Sequence, residues 1–248
     1  MSDTRELYLD LMKRVLINTI YRDAAIQEFD YGDGEEVDPR LVGRDWPSVA
    51  HTMIGLKRLD NLQECVETAL REGVPGDLIE TGVWRGGASI FMRAVVRAHG
   101  DTDRTVWVAD SFQGMPEVAD DGYQADRDME LHRYNDVLAV SLDTVRHNFE
   151  RYGLLDDHVR FVPGWFADTL PGLPVERLAV LRLDGDLYES TAVALESLYP
   201  KLSPGGFAIV DDYSIPACAQ AVHDYRDRHG ITDPLTDIDG TASFWRKS

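Results

Sequence analysis

The acidic residues are the part of this chain best equipped for chemistry. Asp184 and Asp186 stand in LAVLRLDGD, and Asp211 and Asp212 stand in FAIVDDY, each pair closing a short apolar run of the kind that forms a buried strand. If the two runs lie side by side, three or four carboxylates meet at one edge of a sheet. Clustered carboxylates repel and raise one another's pKa. A divalent cation removes that repulsion, and an all-oxygen ligand set favours Mg²⁺ or Ca²⁺ over zinc. The alternative is that each aspartate caps a turn and faces water.

A second constellation lies upstream in DLIETGVWRGGAS, residues 77–89. It reads as a strand, a glycine turn and a helix start, but the glycines are Gly82, Gly86 and Gly87, with bulky Trp84 between them. A pyrophosphate cradle needs G-x-G-x-x-G, so a dinucleotide is disfavoured. The glycines still let a ligand approach the main chain, and Asp110, at the end of TVWVAD, is placed to hydrogen-bond ribose hydroxyls. A nucleoside without a diphosphate fits, which points to S-adenosylmethionine; plain packing of a strand on a helix is the alternative. Trp84 and Trp165 either stack near an adenine or fill the core, and core is the commoner fate of a lone Trp. Of the histidines, only His51 and His132 are kept as minor site candidates, because none shows ligand spacing.

These residues need a scaffold that brings them together. From about Pro75 the short runs DLIETG, TVWVAD, VRFVPG, LAVLRLDGD, FAIVDDY and ASFWRKS alternate with the helical stretches GASIFMRAVVRAHG, LDTVRHNFERYG, ESTAVALESLYPKL and CAQAVHDYRDRHG. That alternation predicts βαβ units and a mainly parallel, doubly wound sheet. In such sheets ligands bind beyond the carboxyl ends of the strands, near the point where strand order reverses. The strand ends supply Glu80, Thr81 and Gly82; Asp110 and Ser111; Gly164 and Trp165; Asp184 and Asp186; and Asp211 and Asp212. The charged, aperiodic stretch at about 112–138 reads as a lid or substrate-binding insertion.

Ahead of the core, residues 3–29 are expected to be helical, with Leu7, Leu11, Val15 and Thr19 on one face and Tyr8, Met12 and Leu16 beside them. The stretch EFDYGDGEEVDPRLVGRD is acidic and turn-rich and reads as a mobile loop. A second helix is expected from Ser48 to Leu70, with Ile54, Leu56, Leu59, Leu62, Val66 and Leu70 at helical spacing.

Composition narrows the classes. The 44 acidic and 25 basic side chains give a net charge of −19, which disfavours nucleic-acid partners. No apolar run approaches the roughly 20 residues of a membrane helix, and MSDTRELYLDLMKR lacks the features of a signal peptide. A cytoplasmic protein without membrane partners is expected. Cys65 and Cys218 have no disulfide or zinc spacing and read as free thiols.

The runs DWPSVAHTMIGLKRLDNL, PGDLIETGVWRGGASIF, RTVWVADSFQGMP, RYGLLDDHVRFVPGWFADTLP, LRLDGDLYEST and LSPGGFAIVDDYSIPA resemble the macrocin O-methyltransferase family over nearly the whole chain. The family methylates deoxysugar hydroxyls on macrolide and aminocoumarin antibiotics. The resemblance implies a Rossmann-like class I methyltransferase fold with a mainly parallel seven-stranded sheet, helices on both faces and a helical N-terminal segment. Residues 1–74 would cover the substrate and 75–248 would form the donor-binding catalytic core. It also implies S-adenosylmethionine as donor, Mg²⁺, and a glycosylated small-molecule acceptor; a homo-oligomer is expected. Carried over by residue, it gives Thr81, Gly82 and Trp84 as donor-binding, Asp110 and Ser111 on the ribose side, and Asp184, Asp211 and Asp212 as metal ligands. Met53 and the strand-end residues Glu80, Gly164 and Trp165 are further donor-site candidates, and Asp184 or Asp186 would accept the hydroxyl proton. The DLYEST that starts at Asp186 is the form associated with the aminocoumarin branch, where macrolide members tend to have DSYGAT, so the acceptor stays open. Other readings are an O-methyltransferase for a non-sugar vicinal diol or catechol, a metal-dependent phosphatase of the haloacid-dehalogenase type, and a nicotinamide dehydrogenase.

Overall fold

The computed structural model describes residues 3–29 and 37–248. Part of the acidic loop expected to be mobile lies outside the described residues.

Before the core come helix α1 (Thr4–Leu16), strand β1 (Ala25–Glu28), the short helix α2 (Pro39–Val42), strand β2 (Asp45–Pro47) and helix α3 (Gly55–Arg71). The core continues through β3 (Asp77–Thr81), α4 (Gly87–Ala98) and β4 (Val106–Asp110). The 112–138 connection holds only the short helices α5 (Gln124–Arg127) and α6 (Asn135–Leu138) and a 3₁₀ turn between them. Then follow α7 (Leu142–Arg151), β5 (Val159–Pro163), α8 (Phe166–Thr169), β6 (Leu178–Leu183), α9 (Tyr188–Leu198), β7 (Leu202–Val210), α10 (Pro216–His229), β8 (Thr236–Asp237) and β9 (Ser243–Arg246).

The main sheet has the order β5-β4-β3-β6-β7-β9-β8, parallel from β5 to β7 and antiparallel at β9 and β8. The chain winds outward from β3 to β5, then crosses back to lay β6 against the other side of β3. The ends of β3 and β6 therefore flank the reversal point, where a crevice must open. Alternation of side chains across each strand supplies two cores. Leu78, Val108, Val180 and Ile209 join α1, α3, α4 and α7 on one face, while Ile79, Ala109, Leu181 and Val210 join α9 and α10 on the other. Every residue of β6 is buried, which marks it as the central strand. Helix α10 ends at Gly230 in the left-handed conformation, as its sequence predicts.

Two expectations for the N-terminal part fail. Helix α1 stops at Leu16, and residues 25–28 pair with 45–47 as an antiparallel ribbon. Its buried side is Leu9, Met12, Lys13 and Leu16, whereas Leu7, Leu11 and Val15 face outward. Steps of four residues drift about 40° per step around a helix, so the 7-11-15-19 series leaves any one face; the mixed steps of 9-12-16 hold one. Nor is Ser48–Ile54 helical: α3 begins only at Gly55. The Asp23 carboxylate accepts hydrogen bonds from the Val49 N–H (2.5 Å), the Ala50 N–H (3.2 Å) and the Ser48 hydroxyl (3.2 Å), which engages the amides a helix would need.

That irregular stretch locks the N-terminal part to the core. The His51 N–H donates to the Leu16 carbonyl, and the His51 carbonyl accepts from the Gly87 N–H at the start of α4, both at 2.9 Å. A Cβ on Gly87 would lie 2.4 Å from that carbonyl oxygen. The His51 ring hydrogen-bonds the Tyr152 hydroxyl at 2.7 Å. Burial, helped by Arg151 and Arg85 and opposed by Asp23, pushes the imidazole down to about 4. The unfolded chain then takes up a proton near pH 6.5 that the folded chain refuses until about pH 4, so stability falls as pH falls through that window. We expect the melting temperature of wild type to drop more steeply between pH 7 and 4.5 than that of His51→Gln, whose amide can still bond Tyr152; parallel curves would contradict this assignment.

Candidate active site

At the reversal point the backbones of β3 and β6 nearly touch. Gly82 has φ +84°, and a Cβ there would lie 1.6 Å from the Asp184 carbonyl oxygen. Glycine is therefore required by contact between the two strand ends, and this is where the crevice begins. The glycine turn also carries Trp84, whose indole N–H donates to the Val137 carbonyl at 3.0 Å and whose ring lies 4.0 Å from the Arg85 guanidinium carbon. Trp84 thus ties the turn to the 112–138 connection. Neither tryptophan fills the core: Trp84 is half-buried and Trp165 is 37% exposed.

Asp110 closes β4 beside the turn. Its carboxylate accepts from the Val83 N–H at 2.7 Å and the Phe112 N–H at 2.6 Å. Burial pushes its pKa up while these donors pull it back. The Ser111 hydroxyl donates to the Gly114 carbonyl at 2.9 Å. Asp110, Ser111, Gly82, Trp165 and Asp184 line a cavity of about 590 Å³, bounded by 114–123 on one side and by the start of α9 on the other.

A second cavity of about 270 Å³ adjoins it. Met53, Glu80, Trp84, Asp186, Asp211 and Asp212 line this one, and Gly82, Asp110 and Asp184 line both. Phe29 and Trp46 from the N-terminal ribbon and Leu131 and Leu138 from the connection also line it. Thr81 and Gly164 line neither. The Thr81 hydroxyl faces the Arg182 carbonyl at 3.5 Å, and the Gly164 N–H donates to the Asp110 carbonyl at 2.9 Å. His51 and His132 also line neither.

The carboxylates converge as their spacing predicts. One oxygen each from Asp184, Asp211 and Asp212 lies within 4.8 Å of the others. Asp186 has φ +56°, a left-handed conformation rare for a residue with a side chain, and its N–H donates to the Asp212 carboxylate at 3.0 Å. Burial, then repulsion from neighbouring carboxylates, pushes Asp184 up to about 6 and Asp186 up to about 7, and raises Asp212 as well. Three hard oxygen donors in mutual repulsion are the ligand chemistry that suits a hard divalent cation.

Two arginines hold the cluster, and sequence reasoning passed over both. Arg182, 1% exposed near the carboxyl end of β6, donates to Glu80 at 2.5 Å, to Asp184 at 2.6 Å and to Asp211. Arg58 of α3 donates to the other Asp211 oxygen at 2.5 Å and pairs with Asp239 at 3.0 Å. Glu80 also accepts from the Ser89 hydroxyl, and burial pushes its carboxyl up to about 7. The available signal was the arginine in LAVLRL: a cation in an otherwise apolar central strand must be paired where it stands.

Residues 5–247 match the family described as Macrocin-O-methyltransferase. The 8-demethyl-8-(2,3-dimethoxy-alpha-L-rhamnosyl)-tetracenomycin-C 4'-O-methyltransferase of Streptomyces olivaceus is 72% identical over 245 residues, covering 99% of this chain and 94% of the relative. The mycinamicin III 3''-O-methyltransferase of Micromonospora griseorubida is 59% identical over 250 residues, covering 98% and 97%. Among solved structures, the O-methyltransferase NovP superposes with a TM-score of 0.93 at 57% identity, covering 98% of this chain and 99% of that one. The dehydrogenase and phosphatase readings fall with these matches. A parallel sheet reversed between β3 and β6, a glycine turn without a pyrophosphate fingerprint and a match over almost the full length agree: this chain belongs to the macrocin O-methyltransferase family and is an S-adenosylmethionine-dependent O-methyltransferase of class I fold.

Proposed function

We propose that the enzyme methylates a sugar hydroxyl of a glycosylated small molecule, with the donor in the larger cavity and the sugar in the smaller one. The observation that carries this reading is that Gly82, Asp110 and Asp184 line both cavities, so the two ligands would meet at the acidic cluster. Three relatives support the substrate class, since their names place the methyl group on a tetracenomycin rhamnoside, on mycinamicin III and on a novobiocin precursor. Those scaffolds share little. What the site has to recognise in common is the sugar and its hydroxyls, and the aglycone does not follow from membership.

In this reading Asp110 binds the ribose hydroxyls. The Val83 and Phe112 N–H groups hold one oxygen each, which fixes the carboxylate for the ligand. Ser111 lies on the ribose side, Trp165 offers an open aromatic face in the donor cavity, and Met53 and Trp84 sit on the acceptor side. Gly164 and Thr81 act from behind, through the backbones they hold.

Asp184, Asp211 and Asp212 would hold Mg²⁺, which when bound makes a ligated hydroxyl more acidic. Asp186 is our choice for the proton acceptor. Asp184 already accepts from Arg182 and belongs to the ligand set, whereas Asp186 stands outside that set and lines the smaller cavity. The segment 112–138 acts as a lid, and residues 1–74 cover the acceptor.

Chelator should abolish turnover and Mg²⁺ restore it; undiminished turnover in EDTA would remove the metal from this account. Asp212→Asn should leave S-adenosylhomocysteine affinity within a few-fold of wild type while turnover falls by orders of magnitude, because the change removes mainly transition-state stabilisation. Asp110→Ala should weaken S-adenosylhomocysteine by about 1.5 to 3 kcal/mol in calorimetry, the range for a hydrogen bond to a charged group. If catechols are methylated well and deoxysugar glycosides not at all, the chemistry stands and the substrate class is wrong.

A further inference from the structure

The 112–138 connection contains a buried carboxylate that the methyl-transfer chemistry does not use. Asp126 is 1% exposed although it sits in the four-residue helix α5. Its two oxygens accept from the N–H groups of Tyr188 (2.6 Å) and Glu189 (3.0 Å), the first two residues of α9. The residue in the capping position of α9 is Leu187, which has no side-chain acceptor. A helix start needs one, and a carboxylate there also meets the positive end of the helix dipole. Asp126 does that work from 62 residues away in sequence.

The place of this cap gives it a consequence. Leu187 follows Asp184-Gly185-Asp186, so the cap anchors the exit of the loop that carries the reacting carboxylates, one of them in a left-handed conformation. Leu187, Glu189, Ser190 and Val193 form one wall of the larger cavity, and residues 114–119 with 121–123 form the facing wall. Asp126 joins the two walls. The Tyr123 ring packs against Tyr188 at 4.7 Å, and the Tyr188 hydroxyl donates to Asp224 on α10 at 3.0 Å, so the far wall is itself held. Elsewhere the connection is tied to its own root by Asn135 and Met115, to Trp84, and to Trp46 through the edge-on ring of Tyr134.

We propose that Asp126 is a positioning residue: its carboxylate latches the 112–138 connection onto the start of α9, retaining the donor in the larger cavity and steadying the Asp184–Asp186 loop. This rests on the donor occupying that cavity.

The test is the dissociation rate of S-adenosylhomocysteine from the full-length protein, by surface plasmon resonance, with trypsin cleavage at Arg127 and Arg133 measured in parallel. Loss of a helix cap, typically worth about 1 kcal/mol, predicts dissociation from Asp126→Ala roughly five- to tenfold faster, with the association rate within about twofold. Cleavage of the donor-bound variant should quicken as well. A residue that only supports the fold would change both rates or neither. Asp126→Asn keeps one acceptor oxygen and should fall between the two; it carries the comparison if the alanine variant does not fold. An unchanged dissociation rate in variants that bind the ligand would overturn the latch. Failure of wild type to bind S-adenosylhomocysteine would overturn the donor-site reading and the latch with it.

Discussion

A single buried guanidinium organises the site. Arg182 lies in the central strand, and it pairs with carboxylates from each side: Glu80 from β3, Asp184 from the end of its own strand, and Asp211 from the end of β7. Without a cation there, neighbouring acidic strand ends would repel one another in a medium that screens charge poorly. With it, three strand ends are held together beneath the crevice. Arg58 extends the arrangement to α3, which links the N-terminal part of the chain to the same carboxylate. Buried ion pairs of this kind are weak evidence for net stability, but loss of one partner leaves the others uncompensated.

Topology and chemistry meet at that point. The reversal of strand order opens the crevice, Gly82 allows β3 and β6 to approach closely within it, and the carboxylates line its floor. The cavities on either side differ in what closes them. The larger is walled by the 112–138 connection and α9, whereas the smaller takes part of its wall from the N-terminal ribbon through Phe29 and Trp46. Edge-on contacts of Trp46 with Phe29 and with Tyr134 join that ribbon to the connection, so the covers of the two cavities touch. Both cavities thus rest on the same strand ends, and they differ in the segments outside the sheet that close them.

What could be read from the sequence was what depends on local pattern. Alternating strands and helices gave the parallel sheet, and D-x-D and D-D at the ends of apolar runs gave the carboxylate triad. The family resemblance rested on long runs across the chain. What escaped depended on partners remote in sequence. The helix expected from Ser48 starts only at Gly55, because Asp23 captures the Val49 and Ala50 amides. In helix α1 the evenly spaced 7-11-15 series drifts around the helix, and Leu9, Met12 and Leu16 form the face that joins the core. The cap of α9 lies in another segment, so no local motif marks it. Arg182 was visible as a charge in an apolar run, but its three partners come from three places in the chain.

Arg182 is the compensating charge on which the site depends, and equilibrium denaturant unfolding of Arg182→Met measures that directly. Methionine keeps much of the volume and removes the cation, leaving Glu80, Asp184 and Asp211 together without it. A loss of about 3 to 5 kcal/mol relative to wild type is expected, as for a buried ion network stripped of one partner. A variant within about 1 kcal/mol of wild type, an ordinary value for a surface pair, would contradict the account.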